Sequence, residues 1–238
     1  MSSEFKKRIV TLLILSIVTF SFFIYSNQDY FSYFVIFVGM FCFGEWTVTN
    51  SLLLNKFRKG FEPYITEIFN KNFLKYFSIY LFGFIYFILI VPSSAVYLRD
   101  EVSLNFFLLI LIICIFSDVG GYVFGKTIGG KKLTKISPNK TISGSIGSFI
   151  FSILPVIFID LSNIETSFLE FNLVNIIFSL FVSLICQLGD LFFSFFKRLN
   201  KKKNTSNLLP GHGGLLDRID GLVIVLPIVF VIKIMDIF

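Results

Sequence analysis

The chain has 238 residues, of which 55% are hydrophobic and only 15% are charged, and its formal net charge is +6. A soluble domain rarely carries so few charges. Several apolar stretches also approach the ~20 residues with which a helix crosses a bilayer, so an ordinary soluble domain is excluded. The three cysteines, Cys42, Cys114 and Cys186, lie in apolar stretches without CxxC spacing. They indicate neither a disulfide framework nor a thiolate metal site.

Seven apolar stretches predict an all-α, polytopic membrane bundle of about seven transmembrane helices. The predicted spans are residues 9–26, 31–54, 74–95, 104–124, 146–161, 173–196 and 221–237. No small-residue cleavage site follows the first stretch, which is therefore interpreted as a retained helix rather than a signal peptide. We find no internal repeat, and residues 1–238 are expected to form a single membrane domain.

Lysine and arginine are concentrated in alternate connections of this predicted bundle. They precede the first span and fill the segments between spans two and three, four and five, and six and seven. Since such segments remain in the cytoplasm, we expect a cytoplasmic N-terminus and an active site that faces the cytoplasm of an inner or plasma membrane. The net positive charge is explained by insertion and by anionic headgroups, without a nucleic-acid partner. Within the second of these connections, residues 55–73 are predicted to be either an interfacial amphipathic helix or an ordinary connector.

Two acids inside predicted spans are candidates for function, because ionisable residues are costly within a membrane. Asp118 lies eight residues before Lys126, and Asp190 lies seven before Lys197. At ~1.5 Å per residue, both carboxylates would lie roughly 10–12 Å below the inner interface. Their matching depth predicts a polar cavity open to the cytoplasm. The alternative is that each acid is only hydrogen-bonded or paired within the bundle.

Glu45 is the third acid within a predicted span. Trp46 and Asn50 are close to it in sequence. Such neighbours favour an interfacial or structural role over a chemical one.

The sharpest local pattern is GHGGLLDRID at residues 211–220. Its glycines give a turn whose backbone can approach a ligand closely, and the turn opens a helix whose first amides favour phosphate. Asp217 and Asp220, three residues apart, project from one face of that helix and suit Mg²⁺. Arg218 can bind a phosphate with two parallel hydrogen bonds. Acidic first turns and glycine turns are each also ordinary helix caps. His212, the only histidine, is either a ligand contact or a turn residue.

A second cluster occupies residues 117–147. It runs from Asp118 into a segment rich in glycine, lysine and hydroxyl groups, including Ser137, Lys140 and Thr141. Such groups can hold a triphosphate, although no GxxxxGK[ST] sequence occurs. A basic inner loop alone is more often a determinant of membrane topology.

Residues 117–221 resemble the phosphatidate cytidylyltransferases, or CDP-diacylglycerol synthases. The matching residues of the C-terminal pattern are Gly189, Asp190, Leu191, Ser194, Lys197, Arg198, Lys203, Ser206, Leu209, Pro210, Gly211, His212, Gly213, Gly214, Asp217, Arg218 and Asp220. Those of the upstream pattern are Asp118, Tyr122, Gly125, Lys132, Leu133, Ser137, Pro138, Lys140, Thr141 and Gly144.

The resemblance implies that CTP and phosphatidate, or a related anionic phospholipid, react to give CDP-diacylglycerol and pyrophosphate. It implies catalysis by Asp190, Asp217, Asp220 and Asp118, with Mg²⁺ held by the first three and room for a second cation. The implied substrate-binding residues are Ser137, Lys140, Thr141, Ser194, Lys197, Arg198, Lys203, His212, Gly213, Gly214 and Arg218. Membrane lipids are the other partners, and a homodimer is compatible with the sequence, which shows no interface.

Three residues depart from the family pattern. Asn204 stands where an Asp is usual, Phe193 where an acid often follows Gly-Asp-Leu, and Ser143 where a Glu is usual. They leave open a CTP-using enzyme with another lipid (polyprenol kinase-like or a CDP-ether-lipid synthase) and a degenerate, non-catalytic homologue. A transporter is less compatible, because the chain has no repeats.

Overall fold

The structure is a computed structural model that describes residues 21–50, 71–134, 137–161, 172–206, 208 and 213–236. Within these ranges every regular element is helical, and one isolated bridge joins Lys132 to Thr141. The predicted all-α class is therefore confirmed. The α-helices are α1 (Gln28–Thr49), α2 (Lys71–Ile85), α3 (Val91–Val96), α4 (Leu104–Thr127), α5 (Ile142–Leu161), α6 (Leu173–Leu199) and α7 (Leu216–Ile234).

Four of the described helices are long and apolar enough to cross a membrane. They are α1, the continuous helical stretch Phe77–Val102, α4 and α6. They overlap the predicted spans 31–54, 74–95, 104–124 and 173–196, so the chain is an integral membrane protein. In α5 the apolar part, Ile142–Phe158, is shorter.

The other predicted spans are covered in part or not at all by these elements. Helix α7 includes most of the predicted span 221–237. The predicted span 9–26 and the segment 55–73 lie largely outside the described residues. The count of seven therefore stays a prediction.

The third predicted span, 74–95, is longer than expected. Two π-helical segments, Tyr86–Ile90 and Tyr97–Val102, continue α2 and α3 without a break. Arg99, in the second of these segments, is buried: its guanidinium donates to the carbonyls of Phe23 and Ser26 and lies 4.4 Å from the centre of the Phe31 ring. Arg99 lies beyond the predicted span 74–95 and is nevertheless part of the packed bundle.

Polar caps mark one end of three helices. The side chains of Asn27, Ser103 and Asn172 accept hydrogen bonds from the backbone amides of Tyr30, Asn105 and Asn175. Each satisfies an amide that the first turn of the helix would otherwise leave unpaired. The rings of Phe31 and Phe107 and those of Phe106 and Phe178 are in contact, so α1, α4 and α6 begin at one end of the bundle. Their C-terminal ends meet the starts of α5 and α7 at the other end.

Glycines bring α4 and α5 into close contact at this second end. A Cβ added at Gly120 would lie 2.4 Å from the carbonyl oxygen of Gly147, and one at Gly147 would lie 2.6 Å from that of Gly120. A Cβ at Gly144 would likewise lie 2.8 Å from the carbonyl oxygen of Gly121. Small residues allow this approach in membrane helices. The contact fixes the start of α5 against the end of α4, where Asp118 lies.

Candidate active site

The four predicted catalytic acids come from three helices, which lie together at one end of the bundle. Asp118 lies in the C-terminal half of α4, Asp190 near the end of α6, and Asp217 and Asp220 in the first turns of α7. Packing of α6 against α7 depends on small residues, because a Cβ at Gly221 would lie 2.4 Å from the sulfur of Cys186. This close packing holds the acids of α7 beside α6.

Lys197 links the two acids of α7. Its ammonium lies 2.8 Å from Oδ1 of Asp217 and 3.7 Å from Oδ2 of Asp220, and only 8% of the lysine is exposed. The other oxygen of Asp217 accepts hydrogen bonds from the amides of Thr205 (2.9 Å) and Gly214 (3.0 Å). Lys197 is therefore a structural counter-charge of the site as it stands.

Asp217 precedes the predicted span 221–237, and these contacts set its acidity. Burial alone would raise the pKa of its carboxyl. The hydrogen bond and charge of Lys197, with the amides of Gly214 and Thr205, outweigh burial, so the pKa lies below its usual value. Asp217 is therefore ionised at neutral pH.

A second ion pair joins Asp190 to the connection between α4 and α5. The ammonium of Lys140 lies 2.5 Å from Oδ2 of Asp190, and the Ser194 hydroxyl donates to Oδ1 at 3.2 Å. Asp118 is within electrostatic range of both Asp190 and Lys140, and Asp190 interacts in the same way with Asp220. The structure thus brings all four predicted catalytic acids into one neighbourhood, with two lysines among them.

The donor set tests the predicted magnesium site. In the described part of the chain, no three His, Cys, Asp or Glu side chains converge as a formed metal site. The available donors are carboxylate oxygens, which suit Mg²⁺. They are neutralised by the ammonium groups of Lys140 and Lys197, as the charge of a cation would neutralise them. The chemistry of the residues therefore fits a divalent cation.

Residues of the loop before α5, including the predicted phosphate contacts Ser137 and Thr141, form local hydrogen bonds. The Thr141 side chain accepts from the amide of Gly144 at 3.1 Å and caps α5, while the Ser143 hydroxyl donates to the carbonyl of Gly129. The amide of Ser137 donates to the Thr134 hydroxyl at 3.2 Å. These residues order the loop before α5, and Gly144 serves helix packing.

The remaining predicted residues lie in the loop between α6 and α7 and in the helical turns beside it. Arg198, Lys203 and Arg218 are exposed. Gly213 has a φ of +88°, which favours glycine, and a Cβ there would lie 3.0 Å from Oδ2 of Asp217. His212 and its neighbours 209–211 lie outside the described residues.

Glu45, for which the sequence favours an interfacial or structural role, also contacts this loop. The carboxylate of Glu45 in α1 contacts residues 205–206 and 215–216. The available signal was its position as a third acid within a predicted span.

The three departures from the family pattern occupy different environments. Phe193 is 3% exposed and packs its ring against those of Trp46 and Phe87, where a carboxylate would be buried without compensation. Asn204 is exposed and close to Gly213. Ser143 is bonded within the loop before α5, as described above.

Comparison with known proteins agrees with these residue patterns. The profile of the cytidylyltransferase family matches residues 64–235. A phosphatidate cytidylyltransferase of Rickettsia bellii (strain RML369-C) is 38% identical over 149 residues, which cover 60% of this chain and 64% of that protein. One of Staphylococcus haemolyticus (strain JCSC1435) is 37% identical over 157 residues, covering 64% and 54%. One of Staphylococcus aureus (strain COL) is 40% identical over 140 residues, covering 57% and 51%. The matched part of the chain thus spans about half to two thirds of the length of these relatives.

Proposed function

The chain belongs to the cytidylyltransferase family, and we propose on this basis that it transfers CMP from CTP to phosphatidate. A phosphate oxygen of the lipid attacks the α-phosphorus of CTP, the bond between that phosphorus and the bridging oxygen breaks, and pyrophosphate leaves. The product is CDP-diacylglycerol. The observation that carries the proposal is the match over residues 64–235, which includes every predicted site residue.

The reaction needs little proton transfer, because the lipid phosphate is itself the nucleophile. Positioning of two anions and neutralisation of their charge are the main requirements. The basic residues proposed to hold the phosphates are Lys197, Arg198, Lys203 and Arg218. The other proposed substrate contacts are Ser137, Lys140, Thr141, Ser194, His212, Gly213 and Gly214.

Asp190, Asp217 and Asp220 are the proposed ligands of Mg²⁺, with Asp118 beside them. When bound, the cation would supply positive charge that favours departure of pyrophosphate. Lys140 and Lys197 hold the same carboxylates in the structure described. We propose that these lysines turn to the phosphates of the substrates when a cation takes their place.

The active site is proposed to face the cytoplasm in a bundle of seven spans that forms a single membrane domain. The concentration of lysine and arginine at this end of the bundle supports that orientation. CTP then enters from the aqueous side, while phosphatidate enters sideways with its acyl chains in the bilayer.

The proposal is tested with purified protein in detergent, phosphatidate, Mg²⁺ and CTP labelled at the α-phosphate. We expect label in a lipid-extractable product, and a fall of at least 100-fold for Asp220→Asn, since the cation that this carboxylate is proposed to hold would supply several kcal/mol of charge stabilisation and about 1.4 kcal/mol corresponds to tenfold in rate. Asp29→Asn, in the first turn of α1 at the opposite end of the bundle, is the matched control.

A second label distinguishes the alternatives. Transfer from CTP labelled at the γ-phosphate would show a lipid kinase instead. Folded protein that binds CTP and transfers neither label to phosphatidate would refute phosphatidate as the acceptor. Folded wild-type protein that does not bind CTP would refute the proposed enzymatic activity.

A further inference from the structure

Glu45 is a buried acid that accepts hydrogen bonds from both sides of one loop. It is 5% exposed, near the C-terminal end of α1. Oε1 accepts from the Ser206 hydroxyl at 2.6 Å and the Leu215 amide at 2.9 Å. Oε2 accepts from the Thr205 hydroxyl at 3.0 Å and the Leu216 amide at 2.8 Å. One carboxylate therefore joins the beginning of the loop to the first turn of α7.

The four contacts require a carboxylate rather than a neutral isostere. All four partners donate, and an ionised carboxylate is an acceptor only, with two sites on each oxygen. The carboxamide of a glutamine would turn an N–H group toward a backbone N–H that also needs an acceptor. The negative charge also lies at the start of α7, where the helix dipole stabilises it.

The backbone of the loop is shaped to admit this side chain. A Cβ added at Gly214 would lie 2.5 Å from Oε2 of Glu45 and 2.0 Å from the Thr205 hydroxyl. Any side chain at residue 214 would displace one of them. The absence of a side chain at Gly214 therefore allows the loop to contact Glu45 of α1.

The same loop is held from the other side by an acid of the proposed active site. Asp217 accepts from the amides of Thr205 and Gly214 and pairs with Lys197. Glu45 binds the hydroxyl of the same threonine and the amide of Leu216, which directly precedes Asp217. Two carboxylates thus bracket the loop, and one of them belongs to a helix that precedes the matched segment 64–235.

We propose that Glu45 is a positioning residue for the transfer reaction: it fixes the start of α7 so that Asp217 and Asp220 face Lys197. This role rests on the proposed function, because it assumes that these acids hold the cation beside the reacting phosphates. Glu45 itself touches none of them. A misplacement of about 1 Å at such a site can cost about 100-fold in rate.

The test compares Glu45→Gln with Thr47→Ala, a change at a half-buried position of the same helix whose hydroxyl donates to the carbonyl of Gly44. For Glu45→Gln we expect kcat to fall by tenfold or more per folded molecule, with a smaller change in the KM for CTP. Amide hydrogen exchange at Leu215 and Leu216 should accelerate by a similar factor. Thr47→Ala should alter neither measurement.

Two further variants keep the test decisive if Glu45→Gln does not fold. Ser206→Ala removes one of the four hydrogen bonds and should lower kcat by a smaller factor. Glu45→Asp keeps the carboxylate and should retain part of the protection of the Leu216 amide against hydrogen exchange. A folded Glu45→Gln protein with wild-type kcat and wild-type exchange would overturn the positioning role. A fall in activity that only follows the loss of folded protein would overturn it as well.

The exchange measurement separates this inference from the proposed reaction. If wild-type protein transfers no CMP to phosphatidate, the proposed function fails. Faster exchange at Leu215 and Leu216 in the variant would still support the positioning contact, and unchanged exchange would refute it.

Discussion

Replacing Lys197 by methionine removes the one ammonium shared by Asp217 and Asp220 while keeping much of the volume of the side chain. The lysine is 8% exposed, so both carboxylates would lose a counter-charge in a place with little water. Breaking such a buried pair costs about 3–5 kcal/mol. We expect a value near the lower limit, about 3 kcal/mol, because the amides of Thr205 and Gly214 still bind Asp217.

A loss of this size is measurable by thermal unfolding in detergent. For a chain of this length, each kcal/mol lowers the Tm by about 2–4 °C, so the Lys197→Met protein should unfold roughly 6–12 °C below wild type. Lys131→Met, at an exposed lysine of the connection before α5, should unfold within about 2 °C of wild type, since exposed changes are usually within ±0.5 kcal/mol.

The double variant Lys197→Met/Asp217→Asn separates the ion pair from other effects of the lysine. Removing the uncompensated charge should recover part of the lost stability, because the two sites interact directly. A single variant as stable as wild type would refute the assigned role of Lys197. A double variant less stable than the single one would refute the pairing with Asp217.

Two other substitutions test the packing of the bundle. Gly147→Ala should destabilise the protein by about 1–3 kcal/mol, because its Cβ would lie 2.5 Å from that of Phe124, whereas Gly44→Ala, with no atom within 4 Å, should be neutral or stabilising in the same unfolding assay. Phe193→Asp, which introduces the acid common in the family, should leave little folded protein in size-exclusion chromatography, while Phe193→Leu should stay folded; equal yields of the two would contradict the packing of this ring against Trp46.

Hydrophobicity and charge were sufficient to predict the helical class and four of the spans, because each depends on composition within one continuous stretch. The depth of Asp118 and Asp190 below the inner interface stays a prediction, based on their distance to the basic ends of their own helices. Partners distant in sequence were beyond this reasoning. The Lys140–Asp190 pair joins a loop to a helix 50 residues later, and no local pattern specifies it.

The glycines of residues 117–147 show why the role of this second cluster could be predicted only in part. A glycine-rich stretch predicts close backbone approach, but the sequence does not say whether a ligand or a helix approaches. In the structure Gly144 contacts the backbone of Gly121. Similarly, Arg99 lies beyond the predicted span 74–95, whereas carbonyl groups and the Phe31 ring hold it inside the bundle.

The contact between Glu45 and the loop also affects the order of events during biosynthesis. Its partners Thr205, Ser206, Leu215 and Leu216 follow it by 160 to 171 residues. At 5–20 residues per second, they leave the ribosome roughly 8–34 s after Glu45. During that interval α1 contains an acid without its four donors, which is unfavourable in the bilayer. α1 therefore gains these contacts only after the start of α7 has been made, and a chain truncated before residue 205 would leave this acid without all four donors.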